Sequence, residues 1–359
     1  MKRLQLLDYG RFVAAICVVF SHYTFAGIAN GKITSLTHIQ PLIDITKYGY
    51  LGVEFFFMIS GYVIFFSAKS RTAAEFAVSR AIRLYPAYWF AVLFTSFFAL
   101  QWGGDLMSVE PKQIVANLSM LQSFFWIPHV DGVYWTLVYE ITFYFAVFSI
   151  LLLGLQKHLN AIFVFWPVLF CLALALDKLS LPYLGEYYYF FSAGTLFAML
   201  KDRFQWPTAI SLAVAFALCV QFAAGRAPAL SAANGIEYSG AVIALIVTTF
   251  FLLFAFQNST LGQSLRLPFS RTAGALTYPI YLIHAHFGYM LIDRFATEEN
   301  KASFYAVAIL LVLGVAFLIN KLIEVRLAAF WRAFFIAVIG RPVNVVQGLL
   351  PKLPIARNR

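Results

Sequence analysis

Charged residues are scarce in this sequence. Of its 359 residues, 12% are Asp, Glu, Lys or Arg, whereas 62% are hydrophobic and 18% are aromatic. A soluble domain typically contains about a quarter charged residues, so this composition excludes an ordinary soluble protein. It predicts an all-α fold, a polytopic membrane protein whose helices are surrounded by the lipid bilayer.

Cysteines are also few. Cys17, Cys171 and Cys219 all lie inside apolar runs, which argues against a disulfide framework and predicts no metal site. The sequence contains no Gly-rich phosphate loop, so an ATPase is unsupported. The net charge of +10 does not indicate a nucleic-acid partner, because basic residues in such a chain mark cytoplasmic loops.

Apolar stretches long enough to cross a membrane recur along the chain. A hydrocarbon core of about 30 Å requires roughly 20 apolar residues in a helix. About ten stretches come near this length: 8–27, 48–68, 84–102, 133–155, 160–177, 187–200, 208–224, 238–256, 275–292 and 302–323. With the N-terminus in the cytoplasm, most Lys and Arg residues lie on the cytoplasmic side, so we expect both termini there.

The chain divides into two regions. Residues 1–325 hold the ten predicted spans and form the transmembrane domain. Residues 326–359 begin with the aromatic stretch RLAAFWRAFFIAVIG, which we expect to lie on the cytoplasmic membrane surface, followed by a basic tail.

The first predicted span carries two polar residues on one face. Arg11 and His22 are eleven positions apart, almost three helical turns, which places them about 16 Å apart along the axis. A cation and an imidazole inside a membrane are costly and usually functional. Counted from the ends of their spans, Glu54 and Glu140 lie at about the same depth as His22. An imidazole with carboxylates is the composition of a general base and an orienting partner.

Other polar residues are weaker candidates. His284 lies near the middle of the ninth span and is expected to be a second polar lining residue, whereas His286 points elsewhere and is interpreted as structural. Arg80 and Arg83 are one turn apart at the start of the third span. Two guanidiniums on one face can hold phosphate groups, although ordinary anchoring by positive charge explains this spacing equally well.

The sequence contains five motifs in this order: Arg11-x10-His22, GVEFFFMISGYVI at 52–64, RAIR at 80–83, WTLVYEITFY at 135–144 and YLIH at 281–284. Together they resemble those of acyltransferase family 3. The resemblance covers about residues 1–325. It implies a ten-helix enzyme of the bacterial inner membrane that transfers an acyl group, usually acetyl from cytoplasmic acetyl-CoA, to a hydroxyl of a sugar or glycan outside.

The resemblance also implies roles for single residues. His22 matches the proposed catalytic histidine and Arg11 its partner, and Arg80 and Arg83 match the pair linked to the acyl-CoA nucleotide. Glu140 matches the acidic residue of the W[ST]L-x-x-E motif, and Glu54 stands where many members carry Asp. The chain departs from the family at IEVRL around Glu324, where many members have an acidic residue followed by proline. Larger members also carry an SGNH-type domain, of which nothing is seen after residue 325.

These observations predict a mechanism. Acetyl-CoA is a co-substrate, with no permanently bound cofactor; Arg80, Arg83 and Arg11 hold its phosphates, and its thioester approaches His22. His22, oriented by Glu54 or Glu140, deprotonates the acceptor hydroxyl. A covalent acyl-histidine route stays open. Four further residues are predicted to line the path or the acceptor site: Trp135, Tyr139, Tyr281 and His284.

Two other classes of function remain open at this point. A proton-coupled transporter would use the His22, Glu54 and Glu140 cluster as a proton relay, but the sequence shows no duplicated halves. A flippase or structural subunit of a glycan assembly complex would not need His22 for thioester chemistry. Release of free CoA separates the enzyme from both.

Overall fold

In the computed structural model, the described residues are 4–179 and 181–349, and all regular secondary structure within these ranges is helical. The predicted all-α fold is therefore confirmed for this part of the chain. Of the basic tail predicted after residue 340, residues 341–349 are helical, and residues 350–359 lie outside the described residues.

The described chain contains twelve main helical segments. They are α1 Gln5–Ala29, α2 Gln40–Lys69, α3 Ala73–Trp102, α4 Gly132–Leu152, α5 Gln156–Ala175, α6 Tyr188–Asp202, α7 Trp206–Asn234, α8 Gly240–Asn258, α9 Ser270–Ile283, α10 Ala285–Phe295, α11 Lys301–Val325 and α12 Ala328–Leu349. Shorter helices occupy Gly104–Met107, Pro111–Asn117, Gln122–Phe125 and Thr260–Ser264.

Nine of these segments, counted over residues 4–179 and 181–349, are long and apolar enough to cross a membrane. Eight of them coincide with predicted spans. The ninth is α12, which we expected on the membrane surface; length and composition do not separate the two placements, so the surface helix stays a prediction. The protein is therefore a polytopic membrane protein. The cytoplasmic position of both termini also stays a prediction.

The sixth and ninth predicted spans are helical, but their helices are too short to cross a membrane. The sixth is α6, which has 15 residues and is buried throughout from Tyr188 to Met199. The ninth is α9 and α10, which are separated by His284 and are also largely buried. Helices enclosed by protein need not have the long apolar surface that lipid contact requires, which explains how they can be this short.

By its internal contacts the chain forms two compact units. Among the described residues, unit 1 comprises 4–56, 87–138 and 218–326. Within unit 1, α1 packs along α9, and the hydroxyl of Tyr9 donates a hydrogen bond to the carbonyl oxygen of Pro268. These contacts place α1 beside the helix that leads to His284.

Among the described residues, unit 2 comprises 57–86, 139–179, 181–217 and 327–349. Within it, α6 packs closely against the second half of α2. A Cβ atom at Gly194 would lie 1.9 Å from the carbonyl oxygen of Met58, so this contact requires glycine. Small residues of this kind allow the backbones of two membrane helices to approach each other.

Candidate active site

His22 lies at an irregularity of the first helix. The α-helical hydrogen bonds of α1 run from Gln5 to Ser21, five residues from His22 to Ala26 form a π-helical turn, and the α-helix resumes at Gly27. A π-helical turn re-aims the side chains that follow it and is frequent at functional sites. The histidine singled out from sequence therefore marks the start of this turn.

His284 lies at a second irregularity, between α9 and α10. Its backbone remains helical, with φ −72° and ψ −34°, but the regular helix is interrupted there. Pro279 is inside α9, and because proline has no N–H it removes one hydrogen bond of the helix and favours a bend. The side chain of His284 is 0% exposed.

The two histidines contact each other directly within unit 1. The Nδ1 atom of His22 lies 3.0 Å from the Nε2 atom of His284, and the two rings stack with centroids 4.8 Å apart. The Nδ1 atom of His284 lies 2.8 Å from the carbonyl oxygen of Tyr281. A carbonyl oxygen only accepts, so His284 carries its proton on Nδ1 and its Nε2 atom accepts.

This hydrogen-bond direction determines the tautomer of His22. Because Nε2 of neutral His284 is an acceptor, Nδ1 of His22 must carry a proton and donate to it. The Nε2 atom of His22 then has its lone pair available. The geometry leaves His22 as a base that is oriented by a second histidine.

Neighbouring groups hold His284 in place. The hydroxyl of Tyr23 donates a 2.9 Å hydrogen bond to the carbonyl oxygen of His284. The Tyr23 side chain fits against α10 because residue 288 is glycine: a Cβ atom there would lie 2.1 Å from the Tyr23 hydroxyl. The His22 ring also lies beside that of Tyr289, with centroids 5.8 Å apart.

Asp131 connects the start of α4 to the start of α10. One carboxylate oxygen accepts from the backbone N–H of Val133 at 3.1 Å, and the other accepts from the backbone N–H of His286 at 2.9 Å. Asp131 is 0% exposed. Its side chain therefore satisfies N–H groups at two helix starts, which have no partner in their own helices.

Both ring nitrogens of His286 have hydrogen-bond partners. Its Nδ1 atom lies 3.0 Å from the carbonyl oxygen of Val130, so Nδ1 donates. Its Nε2 atom accepts from the backbone N–H of Gly132 at 3.2 Å and lies 2.8 Å from Nζ of Lys32. Lys32 is in the connection after α1, where burial lowers the pKa of its amine, and nearby Asp131 opposes this effect.

The carboxylates predicted to orient His22 have other partners. Glu54 is 1% exposed, and its Oε1 atom lies 3.8 Å from Nη1 of Arg226 within unit 1. Glu140 belongs to unit 2, where it accepts hydrogen bonds from Ser60 at 3.2 Å and from Tyr144. Among the described residues, the side chain that accepts the hydrogen bond of His22 Nδ1–H is His284 instead. The expected pairing of His22 with a carboxylate is thus not seen in unit 1.

The aromatic residues predicted to line the site differ in their surroundings. In unit 1, Tyr281 shares a 2.7 Å hydrogen bond with Thr136, and its ring centroid is 5.6 Å from that of His284. Trp135, at the start of α4, is 36% exposed. In unit 2, the Tyr139 hydroxyl donates to Glu186. Of the aromatic residues predicted to line the site, Tyr281 is therefore the one whose contact with the histidine pair is seen in unit 1.

The predicted arginines lie in both units. Arg11 is half-buried on α1 in unit 1. In unit 2, Arg80 donates to the hydroxyl of Ser79 at 3.0 Å, and its guanidinium carbon lies 5.7 Å from the centroid of the Tyr144 ring. Arg83 is half-buried on the same helix, α3. Their role in donor binding stays a prediction.

Sequence reasoning did not single out Asp131, Lys32 or Arg226. Asp131 stands directly before Gly132, where α4 begins, and this capping position was readable from the sequence. The contacts of Lys32 with His286 and of Arg226 with Glu54 join residues far apart in the chain, so no local pattern indicates them.

The fold and site together define a polytopic membrane protein with a pair of hydrogen-bonded histidines, of which His284 is buried and His22 is half-buried. The chain belongs to acyltransferase family 3, whose model, described as an acyltransferase domain, matches residues 4–321. The predicted family is therefore confirmed, and the protein is a membrane acyltransferase.

A relative of known name matches part of the chain. It is the exopolysaccharide production protein ExoZ of Rhizobium meliloti (strain 1021), which is 32% identical over 115 residues. The match covers 28% of this chain and 33% of the relative, so the chain spans about a third of the length of this relative. No solved structure matches the chain.

Proposed function

We propose that this protein transfers an acyl group, acetyl in the simplest case, from acyl-CoA to a hydroxyl group of a polysaccharide. The donor is used from the cytoplasm and the acceptor lies on the outer side of the inner membrane. Membership of the acyltransferase family supports the reaction class, and the name of the relative ExoZ supports a polysaccharide acceptor. The observation that carries the mechanism is the hydrogen bond between His22 and His284.

His22 acts as the general base. Its Nε2 atom takes the proton of the acceptor hydroxyl while the oxygen attacks the thioester carbonyl carbon. The carbon–sulfur bond then breaks, and the proton on Nε2 passes to the leaving thiolate of CoA. General-base assistance typically contributes about 10²–10⁴-fold to the rate.

His284 supports this step from the opposite side of the His22 ring. When His22 accepts the proton it becomes positively charged, and the lone pair of His284 Nε2 stabilises that charge through the 3.0 Å hydrogen bond. The carbonyl oxygen of Tyr281 in turn holds His284 in the accepting tautomer. We assign the indole N–H of the half-exposed Trp135 as the hydrogen-bond donor to the oxyanion that forms on the acyl group.

The same chain of hydrogen bonds disfavours a proton-coupled transporter. A relay must pass a proton onward at each step, but the chain from His22 through His284 ends at a backbone carbonyl. A carbonyl oxygen has no proton to give and no second site to which it can move one. The geometry therefore suits a positioned base better than a proton path.

The test uses purified protein in nanodiscs with acetyl-CoA labelled in the acetyl group and a panel of polysaccharides. We expect CoA release to require both the protein and an acceptor, and to fall by at least about 100-fold in His22→Ala. His158→Ala, which changes an exposed histidine of unit 2, is the matched control and should keep full activity. Wild-type turnover by a folded His22→Ala protein would refute the proposed role of His22.

A further inference from the structure

Unit 2 contains a cavity of about 750 Å³ whose lining residues all belong to this unit. Two pieces of chain form it: the connection between α2 and α3 with the first turns of α3, and one face of α12. Its polar lining consists of Ser70, Arg71, Glu75, Ser79, Arg332, Arg341 and Asn344.

Positive charge dominates this lining. Arg71, Arg332 and Arg341 converge on the cavity, against one carboxylate, that of Glu75. The Glu75 carboxylate caps the start of α3, where it accepts a 3.0 Å hydrogen bond from the backbone N–H of Thr72. The start of a long helix also carries partial positive charge. The cavity therefore has excess positive charge.

The arginines differ in how they are held. Arg71 donates to the hydroxyls of Ser67, at 3.1 Å, and Ser79, so its guanidinium is oriented by the protein. Arg332 and Arg341 are exposed and make no side-chain hydrogen bond or ion pair with the described residues. Their donors remain free for a ligand, and guanidinium groups suit phosphate oxygens because of their planar donor geometry.

Close packing builds this cavity. The ring of Phe335 on α12 lies 6.0 Å from that of Tyr85 on α3, measured between centroids. A Cβ atom at Gly340 would lie 3.1 Å from the side chain of Val78. A π-helical turn from Ile336 to Gly340 lies between Arg332 and Arg341. The arginines of α12 are thus placed by packing within unit 2.

We propose that this cavity binds the nucleotide phosphates of the acyl-CoA donor, with Arg71, Arg332 and Arg341 as the phosphate-binding residues. This inference rests on the proposed acyl-CoA dependence. A cavity of this volume is in the usual range for small-molecule and cofactor sites. A single lipid headgroup presents one phosphate, whereas the nucleotide of CoA presents several, which matches three converging arginines better.

The inference changes the roles expected of the arginines in donor binding. The hydroxyl of Ser79, which lines the cavity, accepts hydrogen bonds from both Arg80 and Arg71. In this arrangement Arg80 positions Ser79 and Arg71, and the arginines of α12 contact the donor. Arg332 and Arg341 lie beyond residues 4–321, the part that the family model matches, so the family motifs do not indicate them.

The experiment measures CoA binding by the full-length protein in nanodiscs, with adenosine 3′,5′-bisphosphate as competitor. We expect Arg332→Gln/Arg341→Gln to raise the Kd for CoA by roughly 10- to 100-fold and to weaken the competitor equally. Arg203→Gln, which removes an exposed cation of the same unit outside the cavity lining, should leave the Kd unchanged. The thermal melting temperature checks that each variant is folded.

The outcomes separate this inference from the proposed function. Tight CoA binding that is unchanged in Arg332→Gln/Arg341→Gln overturns the inference and leaves the acyltransferase proposal standing. If the double variant instead loses bound phosphatidylglycerol, measured by mass spectrometry, and keeps CoA binding, the cavity holds a lipid headgroup and the inference is wrong. Failure of the folded wild-type protein to bind CoA overturns both.

Discussion

The hydroxyl of Tyr23 donates a 2.9 Å hydrogen bond to the carbonyl oxygen of His284, although 261 residues separate the two in the chain. Tyr23 directly follows His22 in the chain. The bond therefore holds the backbone of His284 against the residue next to His22. The side-chain bond between His22 and His284 depends on that register.

The first prediction concerns the acceptor role of His284. His284→Leu removes the lone pair that holds Nδ1–H of His22 and stabilises its charged form, so we expect turnover to fall by roughly 10- to 100-fold. His284→Gln places an amide oxygen where Nε2 lies and should recover much of this loss. Labelled acetyl transfer at saturating acetyl-CoA measures both variants. Equal activity of the Leu variant and the wild type would contradict an orienting role.

The second prediction concerns the close contact at Gly288. A Cβ atom there would lie 2.1 Å from the Tyr23 hydroxyl, so Gly288→Ala must displace a fully buried tyrosine and weaken its bond to His284. We expect a loss of about 1–3 kcal/mol in the free energy of unfolding and a clear loss of turnover. Denaturant or thermal unfolding in detergent measures the first quantity.

Gly314→Ala is the matched control for this change. Gly314 lies inside α11, and a Cβ atom there would meet nothing within 4 Å. Alanine favours the helix by about 0.5–1 kcal/mol over glycine, so this variant should be as stable as the wild type or more stable. If both variants destabilise the protein equally, the Tyr23 contact is not the cause.

The third prediction concerns Asp131. Asp131→Ala leaves the buried backbone N–H groups of Val133 and His286 without their acceptor. Each unsatisfied buried donor costs about 1–3 kcal/mol, so we expect a loss of roughly 2 kcal/mol or more. Asp131→Asn keeps one accepting oxygen and should lose less. Melting temperatures of the two variants in the same detergent give the order, and a reversed order would contradict the capping role.

The fourth prediction concerns the ion pair of Glu54 and Arg226, whose charged atoms lie 3.8 Å apart. Arg226→Met leaves the buried Glu54 carboxylate without its partner, and we expect a loss of about 3 kcal/mol. Glu54→Gln removes the buried charge itself and should destabilise less. In the double variant the two effects should not add, because the unpaired charge is gone. Additive losses in unfolding experiments would show that the pair does not interact.

The sequence alone was enough to identify a polytopic membrane protein and several polar residues of its candidate site. Twenty or so apolar residues in a row require a membrane span whatever their neighbours are, so eight of the ten predicted spans reappear as long apolar helices. The weak sixth and ninth spans are α6 and the α9–α10 pair, which are buried. Their amphipathic or short character reflects contact with protein, which hydropathy does not measure.

Only the tertiary structure decided the partners of those polar residues. Depth in the membrane placed His22, Glu54 and Glu140 at one level, but depth does not determine which residue faces which. The π-helical turn at His22 and the break at His284 turn these two side chains toward each other, and Arg226 lies against Glu54. Each of these contacts joins residues more than 170 positions apart, and such pairing depends on how helices pack rather than on any local pattern of residues.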